Sequence, residues 1–188
     1  MAVNELVSEA ELIQRVIAGE KEEYEKLVIH YQSFCFTLAN RILNNRMEAE
    51  EATQDAFIKA YRSLKYFSGK AKFSSWLYRI VYNTAISYYR KRKNHEDFEI
   101  VKYDHSFSSE NQYSEKQDRV KFIKEAIDRL NPQDATIISL FYYEELSLEE
   151  ISKIMALRTN LVKVKLHRAR KKLATELKVI LKEEVETL

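Results

Sequence analysis

The chain has 188 residues, with 31 Lys and Arg against 29 Asp and Glu for a formal charge of +2, 45% hydrophobic residues and one cysteine. Two glycines and one proline leave too few turn formers for a sheet-rich fold, a single cysteine excludes an internal disulfide framework, and no apolar run is long enough to cross a bilayer. The expectation is an all-α protein of two small domains, cytoplasmic because Met-Ala-Val-Asn-Glu lacks the basic and apolar regions of a signal peptide.

In chain order, Ser8 with Glu11 has the spacing of a capping box, and Gly19 stops the helix it opens. Tyr24, Leu27, Val28, Tyr31, Phe34, Cys35, Leu38 and Ile42 line one face of a longer helix that ends near Asn44 and Asn45. That pattern predicts a buried, reduced Cys35. A third helix starts near Met47. On it Ala49, Ala52, Ala56, Ala60 and Leu64 share an arc with Phe57 at its edge, and small residues there allow close packing. Glu51, Gln54, Asp55 and Ile58 fall on the opposite, exposed arc.

The segment from Lys65 to Phe73 reads as a basic loop between aromatic posts, with Gly69, Lys70 and Lys72. Such a loop suits a strand with unstacked bases, because a base stacked on an aromatic ring contributes roughly 1 to 3 kcal/mol. Phe73 fits base stacking and core packing equally, and Trp76 reads first as core. Ser74 is placed to cap the next helix, with Leu77, Val81, Thr84, Ala85 and Tyr88 buried and Arg79, Tyr82, Asn83, Ile86 and Arg90 pointing elsewhere. The helix closes on a basic block ending at Lys93. From Asn94 to about Gln117 periodicity is lost, as in a linker.

The second domain opens with Val120, Ile123, Ile127 and Leu130 on one helical face, and Asn131 then caps a helix with Pro132 at its first position. Ser147 with Glu150 forms a second capping box, followed by the apolar face of Ile151, Ile154 and Met155. The periodicity breaks at Ala156 and Leu157 and resumes in a new phase with Val162, Leu166, Ala169, Leu173 and Leu177. The other side of this last helix carries Lys163, Lys165, Arg168, Arg170, Lys171 and Lys172 without an acid among them. Helix, break and basic helix form a helix-turn-helix, in which the cations neutralise phosphates and outer N-terminal residues reach base edges.

Several of these stretches resemble one family. F-S-G-K-A-K-F-S-S-W-L-Y-R-I-V-Y-N-T-A-I-S-Y-Y-R-K-R-K, residues Phe67 to Lys93, is similar to regions 2.3 and 2.4 of the extracytoplasmic-function sigma factors of bacterial RNA polymerase. A-E-E-A-T-Q-D-A-F-I-K-A-Y looks like their region 2.2, and L-N-P-Q-D-A-T-I-I-S-L with the ending H-R-A-R-K-K-L looks like regions 4.1 and 4.2. The resemblance spans nearly the whole chain in the same order. It implies a region 2 domain at 1–95, a linker at 96–117 that threads the RNA exit path, and a region 4 helix-turn-helix domain at 118–188. It implies binding of core polymerase through the beta-prime clamp helices and the beta flap, recognition of promoter -10 and -35 elements, and duplex opening without nucleotide hydrolysis. An anti-sigma factor is a further implied partner, and membrane insertion is not.

Carried over residue by residue, the resemblance places Glu51, Gln54, Asp55 and Ile58 against the polymerase. Ser63, Phe67, Ser68, Gly69, Lys70, Lys72, Phe73, Arg79, Asn83 and Arg90 fall to the -10 element, with Phe67 and Asn83 holding a flipped base. Lys163, Val164, Lys165, His167, Arg168 and Lys171 fall to the -35 element. The chain departs from the family in the helix-turn-helix. Ala156 and Arg158 stand where Gly and a capping Ser are usual, so Thr159 or Asn160 is expected to cap and shift the helix start. Leu161 and Val164 replace the usual Thr and Ser; Val164 can meet a thymine methyl but makes no base hydrogen bond.

His30, His95, His105 and His167 are scattered, and neither metal-ligand spacing nor a phosphate-binding glycine loop occurs. No enzyme, metal or cofactor is therefore expected. Two other classes stay open on the residues alone: a helix-turn-helix regulator with an N-terminal sensing domain, and a helical adaptor for protein partners. The aromatic loop ahead of a basic block favours the sigma factor, since a repressor needs only duplex readout.

Overall fold

The computed structural model describes residues 8–95 and 115–186. Contacts divide the chain into two compact units, Met1–Arg90 and Lys91–Leu188. The described residues form eight α-helices and one short 3-10 turn, with no strand. Of the expected linker, 96–114 lies outside the described residues, and Glu115 onward is already helical.

In the first unit, α1 (Glu9–Ala18) starts at Ser8, whose hydroxyl accepts from the Glu11 amide at 3.2 Å, and ends at Gly19 with φ 112°. Only that half of the box is seen: the Glu11 carboxylate turns to Arg15 at 3.1 Å. Helix α2 (Glu23–Leu43) ends on Asn44 in the left-handed region, and Asn45 immediately caps α3 (Arg46–Ser63) through the Glu48 amide. The paired asparagines thus end one helix and begin the next, because Asn tolerates positive φ and also offers a capping oxygen. The small arc of α3 is buried as its alanines predict, with Ala49, Ala52, Ala56 and Ala60 all fully enclosed. Tyr24 reaches across from α2 to donate to the Phe57 carbonyl at 2.7 Å. Burial, then the neighbouring Cys35, raises its phenol pKa.

The loop after α3 begins as a 3-10 turn over Leu64–Tyr66, and α4 (Phe73–His95) starts earlier than its capping signal suggested. Ser74 lies inside the first turn of α4 and is not its cap. Tyr78 and Tyr82 are buried, so the core side of α4 is wider than the single stripe expected, and Tyr82 does not face outward. A ring cluster accounts for Tyr78: Tyr31 lies 5.5 Å from Phe73 and 6.1 Å from Tyr78, which meets Phe34 at 4.8 Å. Tyr31 also donates to Glu9, tying α1 to this centre.

In the second unit α5 (Glu115–Asp128) buries Ala126 and Ile127 near its end, with Leu130 just beyond. Val120 and Ile123, expected in the core, are 64% and 41% exposed. Helix α6 (Pro132–Tyr142) opens as predicted on Asn131, which accepts from the Asp134 amide at 3.0 Å. Helix α7 (Leu148–Met155) carries the complete box, with Ser147 and Glu150 each accepting from the other's amide. Helix α8 (Thr159–Glu186) packs Val162, Leu166, Ala169 and Ile180 inward, with Leu173 and Leu177 half-buried.

Candidate nucleic-acid and polymerase interfaces

Helix α3 presents Glu51, Gln54 and Ile58 to solvent, and Ile58 is 48% exposed despite being apolar. Ile58 is the one apolar member of this otherwise polar, acidic face. Asp55 departs from the exposed position expected of it. It is half-buried, because the Tyr88 hydroxyl of α4 donates to its Oδ2 at 2.7 Å. That bond, with burial and the charges of Asp55, Glu51 and Glu48 behind it, pushes the Tyr88 phenol up to about 12.

The expected -10 surface spreads over the loop and the outer side of α4. Ser68, Gly69, Lys70 and Lys72 are exposed, with Gly69 at φ 68°, a conformation open to glycine at no steric cost. Phe67 is half-buried, its ring 5.7 Å from Phe73 and 5.3 Å from Trp76, so one side is backed by rings. Such a ring is pre-positioned, and its remaining surface can take a base. Phe73, by contrast, is 2% exposed and belongs to the core, which removes it from the stacking set. Trp76, read first as core, is only half-buried, against both rings. Arg79, Asn83 and Arg90 are exposed at helical spacing on one side of α4. Ser63 is half-buried and donates its hydroxyl to the Lys59 carbonyl at 2.6 Å, which leaves its oxygen lone pairs available.

On α8 the structure separates cations that look alike in the sequence. Lys172 donates to Asp134 Oδ2 at 2.5 Å, Lys165 to Gln133 Oε1 at 2.6 Å, and the Arg170 guanidinium lies 5.1 Å and 5.4 Å from the Phe141 and Tyr142 ring centres. All three side chains are engaged by α6. Asp134 is itself nearly enclosed and also accepts from Asn131 Nδ2 at 2.6 Å, so the first turn of α6 anchors α8. Arg170 and Lys172 are exposed as well, but Lys163, Val164, His167, Arg168 and Lys171 lie on a continuous exposed arc away from the core and from α6.

Asn160, one turn before Val164, is exposed on that same arc, inside α8 rather than capping it. The signal that could have found it is its phase: four residues before Val164 on a helix that starts at Thr159. The expected shift of the helix start does not occur. The Arg158 carbonyl accepts from the amides of Leu161 and Val162, while the Thr159 hydroxyl reaches Ser152 at 3.3 Å. Ala156 closes α7 at φ 53°, the left-handed conformation that the usual glycine adopts without strain.

Among the described residues no group of His, Cys, Asp and Glu could hold a metal ion, and no helix is long and apolar enough to cross a membrane.

Two family models match the chain. Sigma-70 region 2 covers residues 27–95 and Sigma-70 region 4 covers residues 123–173. The RNA polymerase sigma-H factor of Pseudomonas aeruginosa is 31% identical over 184 residues, 92% of this chain and 95% of that protein. The ECF RNA polymerase sigma factor SigW of Bacillus subtilis is 33% identical over 181 residues, 88% of this chain and 95% of the relative. Among solved structures, the sigma factor RpoE of Bartonella quintana, crystallised with the anti-sigma factor NepR, aligns with a TM-score of 0.70 at 21% identity. That alignment covers 84% of this chain and 98% of that one, and it establishes a shared fold.

Proposed function

The chain belongs to the extracytoplasmic-function sigma factors, and from that membership we propose how its surfaces divide the work of transcription initiation. Core RNA polymerase and promoter DNA are its partners. The region 2 domain, 1–95, docks on the beta-prime clamp helices through Glu51, Gln54, Asp55 and Ile58. The same domain receives the -10 element on the loop and on α4. Phe67 offers a backed ring and Asn83 offers a donor and an acceptor to a base taken out of the stack. Ser63, Ser68, Gly69, Lys70 and Lys72 line the path, and Arg79 and Arg90 meet backbone phosphates.

The region 4 domain, 118–188, reads the -35 element and meets the beta flap. Here Lys163, Val164, His167, Arg168 and Lys171, joined by Asn160, form the reading arc, while Lys165 acts through its hold on α6. The linker that joins them, ending where α5 begins at Glu115, follows the RNA exit path in the assembled complex. The chain acts by binding alone, without cofactor or catalytic step, and works in the cytoplasm where the polymerase is. An anti-sigma factor is a fitting regulator, as one is bound to the Bartonella relative.

The single observation that supports the docking assignment is the match of residues 27–95 to Sigma-70 region 2, a stretch in which Glu51, Gln54 and Ile58 lie on the exposed side of α3. Replacing Gln54 and Asp55 together with Lys should abolish specific initiation with purified core polymerase while leaving the helical content intact. Full complex formation by that variant would reject the docking face.

A further inference from the structure

The docking face of α3 is mechanically joined to α4, the helix that carries the DNA-facing Arg79, Asn83 and Arg90. Two bonds make the connection: Tyr88 to Asp55 at 2.7 Å and Lys59 Nζ to Thr84 Oγ1 at 3.2 Å. Partners 55 with 88 and 59 with 84 lie one helical turn apart and run in opposite directions, so the two helices are held antiparallel in a fixed register. Tyr88 therefore reaches Asp55 from a rigid element. Its neighbours on α3 are acids, with Glu51 and Glu48 on the turns preceding Asp55. In that setting the phenol keeps its proton and remains a donor throughout the neutral range.

A carboxylate has two oxygens, and Tyr88 occupies one. Oδ1 is left for another donor, at an angle that Tyr88 sets. Glu51 and Gln54, which are exposed and have longer side chains, have no such bond and must be ordered when a partner arrives. Asp55 is already ordered.

We propose that Tyr88 is a positioning residue for polymerase docking: it holds Oδ2 of Asp55 so that Oδ1 is presented to a cationic group of the core enzyme. The inference rests on the docking assignment above. Pre-ordering one interface side chain avoids a loss of rotamer freedom on binding, which for a single side chain corresponds to about two- to tenfold in affinity. The phenyl ring is not what matters, so Tyr88→Phe isolates the hydroxyl.

The test is the affinity of the full chain for core polymerase, measured for the wild type, Tyr88→Phe, Asp55→Ala and the double variant. Tyr88→Phe should weaken binding about two- to tenfold, Asp55→Ala at least as much, and the double variant no more than Asp55→Ala alone. Binding of a single-stranded -10 oligonucleotide by Tyr88→Phe should stay at the wild-type level, whereas a general loosening of α4 would reduce it too. If Asp55→Ala weakens the complex and Tyr88→Phe does not, or tightens it, the positioning role is overturned and the docking face survives. If Tyr88→Phe costs the same with and without the Asp55 carboxylate, the hydroxyl acts elsewhere and the proposal fails. Wild-type affinity of Asp55→Ala would instead reject the docking role of that residue, and the inference with it.

Discussion

Replacing Ala156 with glycine should stabilise the second unit without touching a functional side chain. Ala156 is exposed and sits at φ 53° and ψ 41°, closing α7 ahead of α8. A side chain in that conformation costs roughly 1 to 2 kcal/mol, because Cβ crowds the following carbonyl. Glycine removes the clash but adds freedom to the unfolded chain, which returns about 0.4 to 1 kcal/mol. The net gain is about 1 kcal/mol, and for a unit of this size that is about 4 to 8 °C in the unfolding midpoint. The single tryptophan, Trp76, lies in the first unit, so its fluorescence follows that unit alone while far-ultraviolet circular dichroism follows both. Ala156→Gly should therefore shift part of the dichroism transition upward and leave the fluorescence transition in place. A lowered or unmoved dichroism transition would refute the strain argument. It would mean that the left-handed cap is relaxed by contacts that the alanine methyl itself makes.

Other surfaces yield outcomes as direct. Asn83→Ala should form the closed promoter complex normally yet slow the signal of a fluorescent base analogue at the extruded -10 position. Pre-melted DNA should restore only part of its activity, and wild-type opening kinetics would take Asn83 out of the pocket. Arg168→Ala should flatten base preference at one position of the -35 element by about 1 to 3 kcal/mol, and Asn160→Ala should do so at another, most plainly against adenine; an equal loss on every sequence would make either residue a backbone contact. The Tyr88 phenol is raised from 10.0 to about 12 in the fold, so its stabilising share is complete below pH 10 and lost as the pH rises through 12. Across that window the wild type should lose stability relative to Tyr88→Phe, and parallel pH profiles for the two would argue against the bond to Asp55.

Local chemistry made the helix punctuation legible. Ser8, Asn131 and Ser147 each satisfy an amide three residues on, and that signal needs no knowledge of the rest of the chain, though Asn45 does the same where only a helix end was expected. The alanine arc of α3 was equally plain, since only small side chains suit close packing. What stayed hidden depends on partners remote in sequence. Tyr78 is core because Tyr31 and Phe34 of α2 extend a ring cluster around it, and Tyr82 is buried as well, so a one-stripe pattern undercounts the burial. Phe73 is drawn into the same cluster. In the other direction, Val120 and Ile123 continue an apolar phase whose packing begins only at Ala126. The bond between Tyr88 and Asp55 crosses 33 positions and leaves no periodic trace.

The same blindness applies to charge, with a measurable consequence. Read along the chain, α8 offers six cations to phosphate: Lys163, Lys165, Arg168, Arg170, Lys171 and Lys172. If all six released counterions, the logarithm of affinity would fall against the logarithm of salt with a slope of about -5. In the fold, Lys165, Arg170 and Lys172 are held by Gln133, by the rings of Phe141 and Tyr142, and by Asp134. Lys163 and Lys171 remain for phosphate, with Arg168 turned to a base edge, and a slope of about -2 follows for a short duplex carrying the -35 element alone. Lys171→Ala should flatten that slope by about one. Lys172→Ala should leave it unchanged and instead lower the stability of the second unit by about 1 to 2 kcal/mol, because the enclosed Asp134 loses a charged donor. Binding of the full chain to that duplex over a range of salt, with a thermal melt of each variant, separates the two roles. A slope near -5, or one that flattens in Lys172→Ala, would mean that the α6 contacts give way when DNA arrives and that the whole basic face is spent on phosphate.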